Sequence, residues 1–217
     1  MTNFQKRILT SFIILPLSIF FIVKGGHFLL FFLIFVLFVG MYELLSVFKK
    51  RPIILFLGLT LILSLFSIYY LKTDNIVSTT LLYLVITICI GSDIGGYVFG
   101  KIFKWKKLTK ISPKKTISGV FGSFFFSLIG LIIFSEIFYP GWNVSIKYFL
   151  LTIFFSMVSQ AGDLTISYFK RLEKIKDTGK ILPGHGGIFD RIDGLMFVVI
   201  LTFILYNLKF IGSHYTP

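Results

Sequence analysis

Two carboxylates separated by a basic, glycine-rich stretch define the chemistry open to this chain. Asp163 stands in the run Ser159-Gln160-Ala161-Gly162-Asp163-Leu164, and Asp190 in Asp190-Arg191-Ile192-Asp193. Between them lie Ser167, Lys170, Arg171, Lys174, Lys176 and Asp177, and then Pro183-Gly184-His185-Gly186-Gly187. Five of the nine acidic residues and six of the 22 basic ones fall within 159–194, with long apolar runs on either side. Crossing a membrane does not require such an island, whereas chemistry on a charged substrate does.

Ser159, Asp163 and Ser167 follow one another at i, i+4 and i+8, with Lys170 at i+11. On a helix they share one face. That places Asp163 at or near membrane depth, where a carboxylate costs roughly 2.5–3.5 kcal/mol at the centre and less near the interface. It therefore needs a partner, either Lys170 or Arg171 or a bound ligand. Asp190 and Asp193 stand at i and i+3 where an apolar run begins. A helix N-terminus favours carboxylates through its dipole and its free N–H groups. Two hard oxygen ligands beside a phosphate cradle also suit Mg²⁺. The glycines around His185 permit backbone N–H groups to close on phosphate. The segment lacks the Gly-Lys-Ser/Thr ending of a Walker loop. With one cysteine, Cys89, and no paired histidines, a zinc cluster is not expected. Cys89 sits in an apolar run and reads as a small core residue.

A second constellation mirrors the first. Ser92-Asp93 ends an apolar run, Tyr97 follows Asp93 at i+4, and Gly96 and Gly100 allow close helix approach. The basic loop after it contains Ser112-Pro113-Lys114-Lys115-Thr116. Taken together, the carboxylates suit a divalent metal, and the lysines, arginine and glycine amides suit phosphates. Such a site fits phosphoryl or nucleotidyl transfer to a lipid, in which catalysis is mostly positioning and charge neutralisation.

The elements that position these groups are apolar helices. Hydrophobic residues make up 56% of the 217-residue chain and charged residues 14%. Seven spans are expected at about 8–23, 28–48, 52–71, 76–99, 117–138, 146–169 and 188–210, the first kinked at Pro16. With the N-terminus in the cytoplasm and alternating spans, eighteen basic residues fall inside and four outside. The expected fold is all-α and polytopic, with about seven transmembrane helices, or eight if one region splits, and a cytoplasm-facing site at the membrane boundary. It forms a single domain over 1–217, in which 1–75 are scaffold spans and 76–217 carry the catalytic spans and loops. The formal charge of +13 sits in short loops, where topology and acidic headgroups account for it, so membrane lipids and not nucleic acid are the expected partners. A transporter with intramembrane carboxylates is an alternative class, but the charges cluster on one side and no repeat is visible.

The pattern Ser167-x2-Lys170-Arg171-x4-Lys176-Asp177-x-Gly179-x3-Pro183-Gly184-His185-Gly186-Gly187-x2-Asp190-Arg191-x-Asp193 resembles the signature of the phosphatidate cytidylyltransferase (CDP-diacylglycerol synthase) family. Ser159 to Leu164, Ser92-Asp93 through Gly100-Lys101 and Ser112 to Thr116 resemble it too. The likeness spans roughly residues 90–195 in motif. It departs at Ser118, where the family usually carries an acid before the glycine. The resemblance implies transfer of a cytidylyl group from CTP to phosphatidate, giving CDP-diacylglycerol and pyrophosphate. Another lipid phosphate, on an ether lipid or a polyprenol, is the alternative acceptor. It implies Mg²⁺, with room for a second, monovalent ion, held by Asp163 and Asp190, with Asp93 and Asp193 in support. Lys170, Arg171 and Asp177 would complete the catalytic set. Lys114, Lys115, Ser167, Lys176, His185, Gly186, Gly187 and Arg191 would bind substrate. The expected location is a bacterial inner (plasma) membrane, with the N-terminus cytoplasmic and a homodimer left open.

Overall fold

The computed structural model describes residues 3–140, 144–179, 181 and 186–212. Seven helices follow in order: α1 (Asn3–Lys24), α2 (Gly26–Val47), α3 (Arg51–Thr73), α4 (Ile76–Phe103), α5 (Ile117–Phe138), α6 (Ile146–Leu172) and α7 (Phe189–Asn207). They fall where the apolar runs predict them. α2 to α6 are each long and apolar enough to cross a membrane, and α1 contains the shorter apolar stretch Ile14–Lys24. α7 is 19 residues long but carries Asp190, Arg191 and Asp193 at its start. Large side chains such as Phe31 (69% exposed), Phe38 (71%) and Leu55 (73%) cover the outside. Such outward apolar faces belong against lipid, and the protein is an all-α integral membrane protein.

Local chemistry fixes the helix ends. Pro52 occupies the first turn of α3, where its missing N–H costs nothing. Asn75 and Ser78 form a reciprocal capping box on α4. Thr116 caps α5 by accepting from the Gly119 N–H at 3.1 Å. α4 ends at Lys104 in the left-handed conformation (φ 49°), which turns the chain into the basic loop.

α4 and α5 lie backbone to backbone. A Cβ on Gly95 would strike the Gly122 carbonyl, and one on Gly119 would come within 2.9 Å of the Gly96 oxygen. Ser123 donates to the Ser92 carbonyl at 2.7 Å and Ser127 to that of Ile88 at 3.1 Å, so small polar residues replace bulk at this seam. α7 is the joint of the bundle and packs on α6, α3 and α4. Its Val198 and Val199 join the core formed with α4, α5 and α6. Its Phe189 and Met196 join the other core, formed with α2 and α3.

α4 and α6 place their carboxylates alike. Asp93 and Asp163 are each the eighteenth residue of their helix, counted from Ile76 and Ile146. At 1.5 Å per residue both lie about 26 Å along, near the far boundary of a hydrocarbon core of about 30 Å.

Candidate active site at one end of the bundle

The loop before α5 is built as a clip. Lys115 N–H bonds the Ser112 carbonyl at 3.0 Å, Leu108 N–H bonds that of Lys115 at 2.8 Å, and Ile117 N–H bonds that of Lys106 at 3.0 Å. Lys107 and Thr116 form an isolated bridge. Pro113 sits in the turn, so the clip presents Lys114 and Lys115 to a cavity of about 280 Å³. Asp93, Tyr97, Ser112, Ser123, Gln160 and Asp163 also line it.

Lys115 Nζ lies 2.5 Å from Asp163 Oδ2 and 3.3 Å from the Gln160 carbonyl oxygen. Ser167 Oγ donates to Asp163 Oδ1 at 3.3 Å, one helical turn on, as the i, i+4 spacing predicts. Besides a bound ligand, the sequence offered Lys170 or Arg171 as the protein partner of Asp163. The structure supplies a lysine from the other motif instead, which brings the two constellations into one site.

Asp190 is placed differently from the shared ion site expected of it with Asp163. Its Oδ1 accepts from Lys170 Nζ at 2.7 Å. Its Oδ2 accepts from the Thr178 N–H at 2.8 Å and the Gly187 N–H at 3.0 Å. Lys170 and Asp190 are both nearly buried, so three donors meet Asp190 in a space with little water. The α7 carboxylate within Coulombic reach of Asp163 and Asp93 is Asp193, and Asp193 Oδ1 also accepts from the Gly194 N–H at 2.9 Å. The i, i+3 pair at the start of α7 thus divides its work. Asp190 organises the loop, and Asp193 lies half-buried among the carboxylates behind the cavity.

Arg171 bridges the two loops. Its Nε donates to the Ile111 carbonyl at 3.3 Å and its Nη1 to that of Ile175 at 2.8 Å. Lys114, Lys176, Asp177 and Arg191 are exposed on the same end of the bundle. Gly186 has φ +88°, and a Cβ there would sit 2.7 Å from Asp190 Oδ2, so only glycine fits. The amide of Gly187, expected on phosphate, is already engaged by Asp190. His185, together with Lys180, Pro183 and Gly184, lies outside the described residues. Ser118, where the motif departs, is buried and shares a hydrogen bond of 3.0 Å with Thr116 Oγ1, so it belongs to the α5 cap.

One participant was not singled out in the sequence. Glu43 of α2 is 1% exposed, and its carboxylate accepts from the Ile188 N–H at 3.0 and 2.8 Å and from the Phe189 N–H at 3.3 Å. Its signal was available, since it is the sole charged residue of α2, an otherwise apolar helix.

Among the described residues no three His, Cys, Asp or Glu side chains form a ready metal cage. The donor set is instead two aspartates, Asp93 and Asp163, lining one open cavity, with a third, Asp193, in Coulombic reach. That composition fits Mg²⁺, which takes one or two carboxylates and completes its octahedron with water and substrate oxygens.

Fold and site together define a polytopic membrane protein with a carboxylate- and lysine-lined cavity at one end of its helices. The chain belongs to the cytidylyltransferase family, whose sequence profile matches residues 53–209. It is 47% identical over 116 residues to a phosphatidate cytidylyltransferase of Staphylococcus haemolyticus. It is 45% identical over 116 residues to that of Staphylococcus aureus (strain COL). It is 44% identical over 115 residues to that of Staphylococcus epidermidis (strain ATCC 12228). Each match covers 52% of this chain and 44% of the relative, so the shared part is under half the relatives' length.

Proposed function

We propose that this protein transfers a cytidylyl group from CTP to phosphatidate. A phosphatidate phosphate oxygen attacks the α-phosphorus of CTP. The new P–O bond forms as the bond from the α-phosphorus to the bridging oxygen breaks, and pyrophosphate leaves with that electron pair. The observation that carries this reading is the meeting of Asp163 and Asp93 with Lys114 and Lys115 in one cavity at a helix end. A triphosphate needs both signs of charge there. The names of the relatives support CTP and phosphatidate as the substrates.

Mg²⁺ would be held by Asp163 with Asp93 or Asp193 and would neutralise the phosphate oxygens around the reacting phosphorus. Asp190 would join that set only after Lys170 releases Oδ1. Lys114 and Lys115 hold phosphate oxygens of CTP, and Lys115 exchanges its contact with Asp163 for substrate. Lys176, Arg171 and Arg191 give the surrounding loop the positive charge that draws in an anionic lipid headgroup and an anionic nucleotide. No covalent nucleophile is required, because the acceptor phosphate attacks directly. The site faces the cytoplasm, where CTP is found, with the N-terminus on the same side and the protein in a bacterial plasma membrane. This orientation follows the excess of basic residues at that end.

The test is direct. Purified protein in detergent or vesicles is given labelled CTP, phosphatidate and Mg²⁺, and the lipid fraction is analysed. CDP-diacylglycerol and an equal amount of pyrophosphate are expected. Absence of both, or product formed only from an ether-lipid phosphate or a polyprenyl phosphate, overturns the assignment of acceptor.

A further inference from the structure

Glu43 is a carboxylate that the transfer reaction does not use, buried where burial is costly. It lies in α2, outside the motifs that carry the site, and is 1% exposed. Neither ion pair found among the described residues includes it. Its charge is answered by the backbone N–H groups of Ile188 and Phe189, which open α7. α7 has no side-chain cap from its own N-cap residue, so Glu43 supplies that cap from another helix.

The fit around Glu43 is close on two sides. A Cβ on Gly179 would lie 2.7 Å from Oε1, and one on Gly187 would lie 2.5 Å from Oε2. Both ends of the glycine-rich loop thus rest on this one carboxylate. Phe189 is fully buried beside it, and a Cβ on Gly40, one turn earlier in α2, would come 3.5 Å from the Phe189 ring. A second tie, from the Lys50 N–H to Glu173 Oε1 at 2.9 Å, holds the start of the same loop to the turn between α2 and α3.

We propose that Glu43 is a positioning residue for the transfer reaction. It fixes the first turn of α7, and through it the directions of Asp190 and Asp193, so that α2 sets the geometry of a site it does not enter. The assignment rests on the cytidylyl-transfer reading for its kinetic consequence, but not for its structural one. Glu43→Gln keeps the shape and removes the charge. One of its terminal atoms becomes an NH₂ that faces N–H donors and cannot accept from them.

Two measurements on the full-length protein in detergent test it. The first is amide hydrogen exchange over 186–192. E43Q speeds exchange at Ile188 and Phe189 at least tenfold and leaves the α4–α5 seam unchanged. The second is steady-state kinetics per folded molecule, where kcat falls at least tenfold while the KM for CTP stays within threefold. A purely structural role would lower the yield of folded protein and leave kcat per folded molecule unchanged. Unchanged exchange at Ile188 and Phe189, or unchanged kcat, overturns the proposal. If E43Q does not accumulate, Gly179→Ala, which crowds the carboxylate without removing it, is read by the same two criteria. If the wild type forms no CDP-diacylglycerol, the functional reading fails, and the exchange experiment still decides the role of Glu43 in the fold.

Discussion

Lys115 Nζ lies 2.5 Å from Asp163 Oδ2, and this contact joins the clip before α5 to the polar face of α6. The two side chains are 23% and 32% exposed, so the pair adds little to stability, on the order of 0–1 kcal/mol. Its value is geometric, because it sets the lysine proposed to hold phosphate next to the carboxylate proposed to hold Mg²⁺.

Asp163→Asn therefore leaves the protein folded and inserted but lowers turnover by about a thousandfold, the upper end of the scale for one removed charge-stabilising group. Lys115→Met loses about a hundredfold, mostly in kcat/KM for CTP. Wild-type-like rates for either variant in the lipid-product assay would rule out the cavity as the site.

The pair Lys170–Asp190 behaves oppositely. Its side chains are 10% and 7% exposed, and Asp190 also holds two backbone N–H groups. Removing one partner leaves a buried charge unanswered, at about 3–5 kcal/mol. Lys170→Met and Asp190→Ala lower the thermal midpoint in detergent by several degrees, whereas Asp163→Asn leaves it within a degree or two. Equal midpoints for all three would show that the buried pair is not structural.

Divalent ions can be titrated. Stripping the protein with EDTA stops turnover, and Mg²⁺ restores it. Asp93→Asn raises the Mg²⁺ concentration for half-maximal rate about tenfold, because one of few carboxylates is lost. Full activity in excess EDTA would remove the metal from the mechanism.

At the α4–α5 seam, Gly95→Ala places a methyl 2.8 Å from the Phe126 Cβ and directly against the Gly122 backbone. The helices must separate, at a cost of about 1–3 kcal/mol, and Asp93, two residues earlier, moves with them. Both the thermal midpoint and the Mg²⁺ dependence shift. A change in midpoint alone would mean that Asp93 does not depend on this seam.

Arg171→Ala cuts the tie from α6 to Ile111 and Ile175. The clip then moves independently of the second loop, and the KM for CTP rises about tenfold with little change in midpoint. An unchanged KM would show that the Arg171 tie does not position the clip for CTP.

The helices were legible in the sequence because apolar runs longer than a bilayer is thick admit no other structure in lipid. The carboxylates were legible because charge inside such runs is costly. The same reasoning covers the polar face of Ser159, Asp163 and Ser167, since neighbours one turn apart meet by helix geometry alone. Partners between helices were not legible. Lys115 with Asp163 and Lys170 with Asp190 depend on how α4 to α7 pack, and spacing along the chain says nothing of that. Glu43 shows the limit most clearly. Its residue type and its place in an apolar helix marked it as costly. Only the packing of α2 beside α7, through Gly40 and Phe189, set it on the N–H groups of Ile188 and Phe189. By itself the sequence determined which groups carry charge at the membrane boundary. The tertiary structure decided which charges answer one another, because in a low-dielectric bundle a carboxylate's role is set by the donors that packing brings within 3 Å.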